Sequence, residues 1–267
     1  MADRRLCLIT GASAGIGAAL ARVYAARGWD LALTARRTGR LEALAEELRL
    51  RFGAQSQVLP FDLSDPAAPE ALIMTAQSGG RTVEGLVNNA GYSIPSGFAA
   101  TAWSDHRALL QVMLHAPTEL AHRVLPGMLD RGFGRIVNVC SLAGFLPSTA
   151  GDTLYGPVKS YLIKASAGLH LEGRERGVHV TALCPGYTWS EFHDVNGSRQ
   201  KISQAFPEWI WMTAEEVAET GYAAVEANRP ISVPGAPNRA IASLLKLMPD
   251  TWTLKLTARH AARLGRL

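Results

Sequence analysis

LCLITGASAGIG, running from Leu6 to Gly17, decides the fold. Leu6 to Ile9 is a short apolar run of the kind that forms a buried strand. Thr10 to Gly17 is rich in glycine, and an apolar helical pattern follows from Ala18 to Arg27. Strand, glycine turn and helix in that order are the setting a phosphate-binding loop requires. Gly11, Gly15 and Gly17 let the backbone turn tightly and come close to an anion. The first N–H groups of the helix, which have no intrahelical partner, then face that anion. The spacing is G-x3-G-x-G rather than G-x-G-x-x-G, and a glycine cluster after a strand is often only a turn. The assignment therefore depends on what surrounds it.

Outward from the loop, strands and helices alternate. Strands are predicted at 31–34, 58–63, 85–91, 135–139 and 179–184, and a short one at 231–233. Helices are predicted at 40–52, 64–78, 104–130 with a break near Pro117, 155–176, 214–227 and 238–248. This rhythm means a parallel sheet covered on both faces, with ligands bound beyond the carboxyl ends of the strands. The expected fold is a Rossmann-type doubly wound α/β domain spanning 1–250. An irregular substrate lid is expected at 191–213, and a tail at 251–267.

The end of the second strand is where such a fold meets the adenosine ribose. A carboxylate there suits the 2′-hydroxyl of NAD. Here Ala35 stands at that place and Arg36 and Arg37 follow; cations without a carboxylate suit a 2′-phosphate. NADP(H) is the expected cofactor. Asp62, at the tip of the third strand, is placed to accept from the adenine amino group.

Tyr155-Gly156-Pro157-Val158-Lys159 opens the helix at 155–176. One turn separates Tyr155 from Lys159, so the ammonium lies under the phenol. A free phenol has a pKa near ~10, and a close cation is expected to lower it, giving a group that shuttles protons. Ser141, after the apolar run 136–140, sits at the mouth of a strand and is able to hydrogen-bond a substrate oxygen.

The composition excludes several other classes. Hydrophobic residues make up 48% and charged residues 19%, which supplies ample core for one domain. The net charge of +4 comes from 22 Arg and 5 Lys scattered along the chain, so no basic block points to nucleic acid. Cys7, Cys140 and Cys184 lie in apolar runs with no metal-ligand spacing. They read as reduced structural thiols, with a cytoplasmic location expected.

Taken together, TGASAGIG (10–17), Asp62-Leu63, NNAG (88–91), Ser141, Tyr155-x3-Lys159 and Pro185-Gly186 resemble the short-chain dehydrogenase/reductase family in order and spacing. The resemblance implies hydride transfer between a nicotinamide cofactor and a carbonyl or alcohol carbon. It makes Tyr155 the proton donor or acceptor on the substrate oxygen and Ser141 the residue that orients that oxygen. Lys159 then tunes Tyr155 and holds the nicotinamide ribose. Gly11, Ser13, Gly15, Ile16 and Gly17 hold the pyrophosphate, with Arg36 and Arg37 on the 2′-phosphate. Asp62 and Leu63 meet the adenine, and Asn89, Ala90 and Gly91 line the cofactor. Pro185, Gly186, Thr188 and Ser190 lie toward its carboxamide. The family also implies a homodimer or homotetramer, with contacts from helices 104–130 and 155–176.

Two departures from the family stand out. Where a catalytic Asn is usual, in a phrase like V-N-L-x-A-P, this chain has Val112-Met113-Leu114-His115-Ala116-Pro117. Met113 cannot hold the relay water that the family places behind Lys159, so Met113→Asn is expected to raise turnover. His115 lies about 200° around the helix from Met113 and reads as a surface residue. The second departure is Pro157-Val158, tolerable because proline near a helix start lacks only an N–H that has no partner there.

Tyr92, Leu142, Tyr187, Phe192 and Trp209 are the expected substrate-binding residues, beside Ser141. They suit an aromatic or lipid-like ketone or alcohol. The basic, partly amphipathic tail is expected to cover the site or a partner subunit rather than a membrane. Two other readings stay open: a dehydratase or epimerase using a bound cofactor, and a nucleotide-binding sensor of the same fold.

Overall fold

A computed structural model describes residues 4–147, 149, 151, 152, 154–191 and 207–263. The main sheet has seven parallel strands in the order β3-β2-β1-β4-β5-β6-β9. They are β1 Leu6–Thr10, β2 Asp30–Thr34, β3 Ser56–Leu59, β4 Val83–Asn88, β5 Gly134–Val139, β6 Val178–Leu183 and β9 Ile231–Ser232. Two short strands, β7 Thr188–Trp189 and β8 Met212–Thr213, pair with each other alone. The helices are α1 Gly15–Ala26, α2 Thr38–Phe52, α3 Ala68–Ala76, α4 Trp103–Leu110, α5 Ala116–Arg131, α6 Tyr155–Gly173, α7 Ala214–Glu226, α8 Ala236–Leu247 and α9 Asp250–Arg263.

Strand periodicity builds two cores. In β1, Cys7 and Ile9 point to one face and join Leu20 and Tyr24 of α1, Leu41 of α2 and Val217 of α7. Leu6 and Leu8 point to the other and join Leu72 of α3 and Leu120 and Val124 of α5. Both faces of the sheet are covered, which is why its strands read as continuous apolar runs. Strand order reverses between β1 and β4, and the crevice of a doubly wound sheet lies outside the carboxyl ends at such a switch point. Thr10 ends one of those strands and Asn88 ends the other.

Several boundaries differ from expectation for local reasons. β3 stops at Leu59, and the following Pro60 has no N–H to extend it. Residues 60–67 form turns instead, with Ser64 N–H donating to Asp62 Oδ1 (3.0 Å) and Ala67 N–H to Asp65 Oδ1 (2.9 Å). α3 accordingly starts at Ala68 rather than at residue 64. The strand expected over 85–91 ends at Asn88, where the side chains turn to holding the loop. Helix 104–130 is two helices joined by a π-helical turn, Gln111–His115, in which Ala116 N–H reaches Gln111 O. Pro117 has no N–H for the carbonyl of Met113, so one α-type bond is lost at this turn. The expected tail contains a helix, α9, that buries Thr253 and Ala261 while Trp252 and Leu256 face outward. None of the described helices is long and apolar enough to cross a membrane.

Candidate active site

Thr10 laces the two sides of the crevice together. Its hydroxyl donates to Val87 O (3.2 Å) and accepts from the N–H groups of Asn89 (2.9 Å) and Ala90 (3.0 Å). Asn89 returns both amide hydrogens, to Thr10 O (2.9 Å) and Gly11 O (3.2 Å). Its side chain thus shapes the glycine loop. Gly11 has φ +66, which a side chain would strain. α1 begins behind this loop with no side-chain cap and no acid in its first turn. Its N–H groups are therefore left for an anion. Ser190 closes the other side, its Cβ 3.0 Å from where a Cβ on Gly15 would lie.

The arginines after β2 are tied to other parts of the chain. Arg37 donates to Ser13 Oγ through Nε (3.2 Å) and Nη2 (3.0 Å), which joins the loop to the end of β2. Its Nη1 also donates to Glu191 (2.8 Å), and Arg40 pairs with the same carboxylate. The two guanidinium groups hold the Glu191 carboxyl below the usual carboxylate range, Arg40 more strongly than Arg37. The sequence suggested cations without a carboxylate here; the structure supplies a carboxylate from 154 residues downstream. Arg36 is exposed close by, and its charge reaches Tyr92. Asp62 is exposed, with one oxygen held by Ser64 N–H. Leu63 is buried in the core on one face of the sheet, and Ile16 packs against the core on the other.

Ser141, Tyr155 and Lys159 come together where β5 ends and α6 begins. Ser141 caps the 3₁₀ turn Leu142–Phe145, its Oγ accepting from Ala143 N–H (3.1 Å). Gly144 lets that turn approach α6; a Cβ there would lie 2.9 Å from the backbone of Lys159. The start of α6 is pinned by Thr149, whose hydroxyl accepts from Gly156 N–H (3.1 Å) and donates to Asp152 O (2.7 Å). Lys159 is buried and its ammonium donates to Val139 O (2.7 Å). The ammonium lies 5.6 Å from the centre of the Tyr155 ring.

One expectation is corrected here. Burial pushes the Tyr155 phenol above its ordinary value, opposed by a hydrogen bond with Ser141. Lys159 is buried as well, which drives its ammonium toward losing its proton, and its hydrogen bond runs to Val139 O.

Around this trio, Met113 is buried with Leu109 and Val158 and packs against Tyr92 and Tyr155. Tyr92 N–H reaches its sulfur (3.4 Å). His115 is exposed. Pro185 O accepts from Leu142 N–H (2.9 Å), and Thr188 Oγ1 donates to Gly186 O (3.2 Å). Trp211 stacks on Trp189 (4.2 Å between centres) and lies 5.2 Å from Tyr187. Trp209 is exposed, and Phe192 lies outside the described residues.

These residues fit a nicotinamide dinucleotide: a glycine cradle closed to any added Cβ, an uncapped helix start and an arginine tied to the loop. The family described as short chain dehydrogenase matches residues 5–201. The chain belongs to the short-chain dehydrogenase family. It is similar to sulfoacetaldehyde reductase of Chromohalobacter salexigens, 37% identical over 79% of this chain and 84% of that protein. A short-chain dehydrogenase from Sphingobium yanoikuyae, solved in complex with NADPH, matches with a TM-score of 0.80 and 33% identity over 95% of each chain. The bulky-bulky ketone specific alcohol dehydrogenase from Comamonas testosteroni matches with a TM-score of 0.75 and 28% identity, over 97% of this chain and 93% of that one. This short-chain dehydrogenase is thus an NAD(P)-dependent oxidoreductase acting on a carbonyl or alcohol. Two residues of this arrangement were not expected from the sequence. Thr10 gave a weak signal, a hydroxyl at a strand end just before the first loop glycine. Glu191 gave none, because its arginine partners are adjacent only in space.

Proposed function

We propose that this short-chain dehydrogenase is an NADP(H)-dependent carbonyl reductase or secondary-alcohol dehydrogenase acting on an apolar substrate. The observation that carries this reading is the meeting of Ser141, Tyr155 and Lys159 at the crevice, with Arg37 tied to the glycine loop at its other end. The bound nicotinamide supplies the hydride or accepts it. Ser141 orients the substrate oxygen and Tyr155 exchanges the proton with it. Because burial raises the Tyr155 pKa, the phenol is a proton donor throughout neutral pH. Carbonyl reduction should hold there and fall as pH rises through that raised pKa. Alcohol oxidation, which needs the phenolate, should rise over the same interval. Initial rates in both directions against pH check this, and an acidic limb on reduction near neutrality would contradict it.

The NADP(H) preference rests on Arg37, with Arg36 and Arg40 beside it, and agrees with the NADPH held by the Sphingobium protein. Glu191 opposes it: a 2′-phosphate arriving at Arg37 meets a carboxylate already paired there. Pairs this exposed contribute about 0.2–1 kcal/mol. Glu191→Gln should therefore tighten NADPH binding by roughly 1.4-fold to fivefold and leave NADH unchanged. Titration by protein fluorescence measures both. Weaker NADH binding in the variant would instead assign Glu191 to a ribose hydroxyl and overturn the NADP(H) preference.

The apolar substrate is supported by the wall of Tyr187, Trp189 and Trp211 and by Tyr92 and Leu142 near the trio. It fits the bulky ketones named for the Comamonas enzyme. The sulfoacetaldehyde named for the Chromohalobacter enzyme is a small anion, so a substrate panel needs both kinds. A homodimer or homotetramer belongs to the same proposal. Leu244 and Leu247 of α8 and Trp252 of α9 are exposed, an apolar face that self-association would cover.

A further inference from the structure

Met113 takes the place of the family's relay Asn, yet the space behind Lys159 is not solid. A cavity of about 10 Å³ lies there, lined by Lys159, Asn88, Thr10, Met113 and Pro117 among others. That is about the smallest volume that holds one water. Asn88, at the end of β4 and buried, forms part of its wall.

The orientation of the Asn88 amide is fixed by a chain of hydrogen bonds. Ser166 Oγ donates to Leu162 O (2.6 Å), so it must accept from its other neighbour, Asn138 Nδ2 (2.8 Å). Asn138 Oδ1 therefore faces Asn88 and accepts from Asn88 Nδ2 (2.9 Å), which also donates to Pro117 O (3.1 Å). Both amide hydrogens of Asn88 are used. Its Oδ1 is left buried with no partner. A buried acceptor of this kind calls for a donor. On the Lys159 side, one ammonium hydrogen goes to Val139 O and two remain.

We propose that Asn88 is a positioning residue that holds a water against Lys159, doing from β4 what the family does from the helix at position 113. The inference rests on the role of Tyr155 under the proposed function. The water donates to Asn88 Oδ1 and accepts from Lys159 Nζ. In reduction, Tyr155 gives its proton to the substrate oxygen and the Lys159 ammonium replaces it. The water reprotonates the Lys159 amine and takes a proton from solvent in turn. Met113 closes the cavity from the helix side and leaves the amide of Asn88 as the anchor. The chain from Asn88 through Asn138 to Ser166 holds that anchor rigid.

The test uses NADPH and the carbonyl reduced fastest in the panel above. Asn88→Leu should lower kcat tenfold or more while the KM for NADPH stays within about twofold. Adding Met113→Asn to Asn88→Leu should recover most of the loss, a rescue that a purely structural role for Asn88 would not give. Met113→Asn alone should then leave kcat nearly unchanged, against the rise expected from sequence. An unchanged kcat in Asn88→Leu overturns the inference, as does a loss that Met113→Asn does not restore. If Asn88→Leu does not fold, crystals of the unaltered protein with NADPH decide. Water density within hydrogen-bond reach of both Lys159 Nζ and Asn88 Oδ1 upholds the inference, and its absence there overturns it. Tyr155→Phe in the same assay separates the two levels. If it stays active, the catalytic reading itself fails; if it is dead while Asn88→Leu is active, only the relay fails.

Discussion

Replacing Tyr155 by Phe should lower the rate of carbonyl reduction by roughly 10²–10⁴, the usual worth of a positioned general acid. The change removes one oxygen and keeps the ring, so the packing against Met113 and Val158 survives. NADPH affinity and the melting temperature should therefore move little. What disappears is the proton donor that burial keeps neutral and that Ser141 orients. A fall in kcat with cofactor affinity intact identifies Tyr155 as the acid. A parallel loss of binding and turnover would mean that the phenol is part of the fold.

Gly17→Ala should damage cofactor binding out of proportion to the one methyl it adds. A Cβ at Gly17 would lie 2.3 Å from Gly11 O and 2.5 Å from Asn89 Nδ2, closer than real carbon contacts allow. Neither neighbour has room to retreat. Gly11 O is in the loop backbone, and Asn89 Nδ2 spends its two hydrogens on Thr10 O and Gly11 O. Overpacking of this kind costs typically about 1–3 kcal/mol. Here the distortion falls on the loop that receives the pyrophosphate, so NADPH affinity should fall by roughly tenfold to a hundredfold, beyond any loss of stability. Isothermal titration of the folded variant measures it; wild-type affinity would remove the glycine loop from the binding site.

How much of this was legible beforehand follows from distance along the chain. The parallel sheet was readable because its central strands are buried on both faces and show as apolar runs, Leu31 to Thr34 being a clear case. Tyr155 and Lys159 were readable because one helical turn fixes their relation whatever surrounds them. The pKa of Tyr155 was not, since it depends on burial, which the turn does not encode. Glu191 was illegible for the same reason: its pairing with Arg37 and Arg40 exists only once β2 and the segment after β7 are brought together. Asn88 showed as one of two asparagines at a strand end. That Asn89 shapes the loop while Asn88 faces a cavity depends on strand pairing and on the π-helical turn at Gln111–His115. That turn was half legible, because Pro117 announced a break in the helix but not its form.

The most direct test of the account is a set of initial rates with NADPH and with NADH over aromatic and aliphatic ketones, sulfoacetaldehyde included. Turnover of at least one bulky apolar ketone, faster with NADPH than with NADH at equal concentration, is the predicted result. Tight NADPH binding with no turnover of any carbonyl, and none of the corresponding alcohols with NADP⁺, would contradict it.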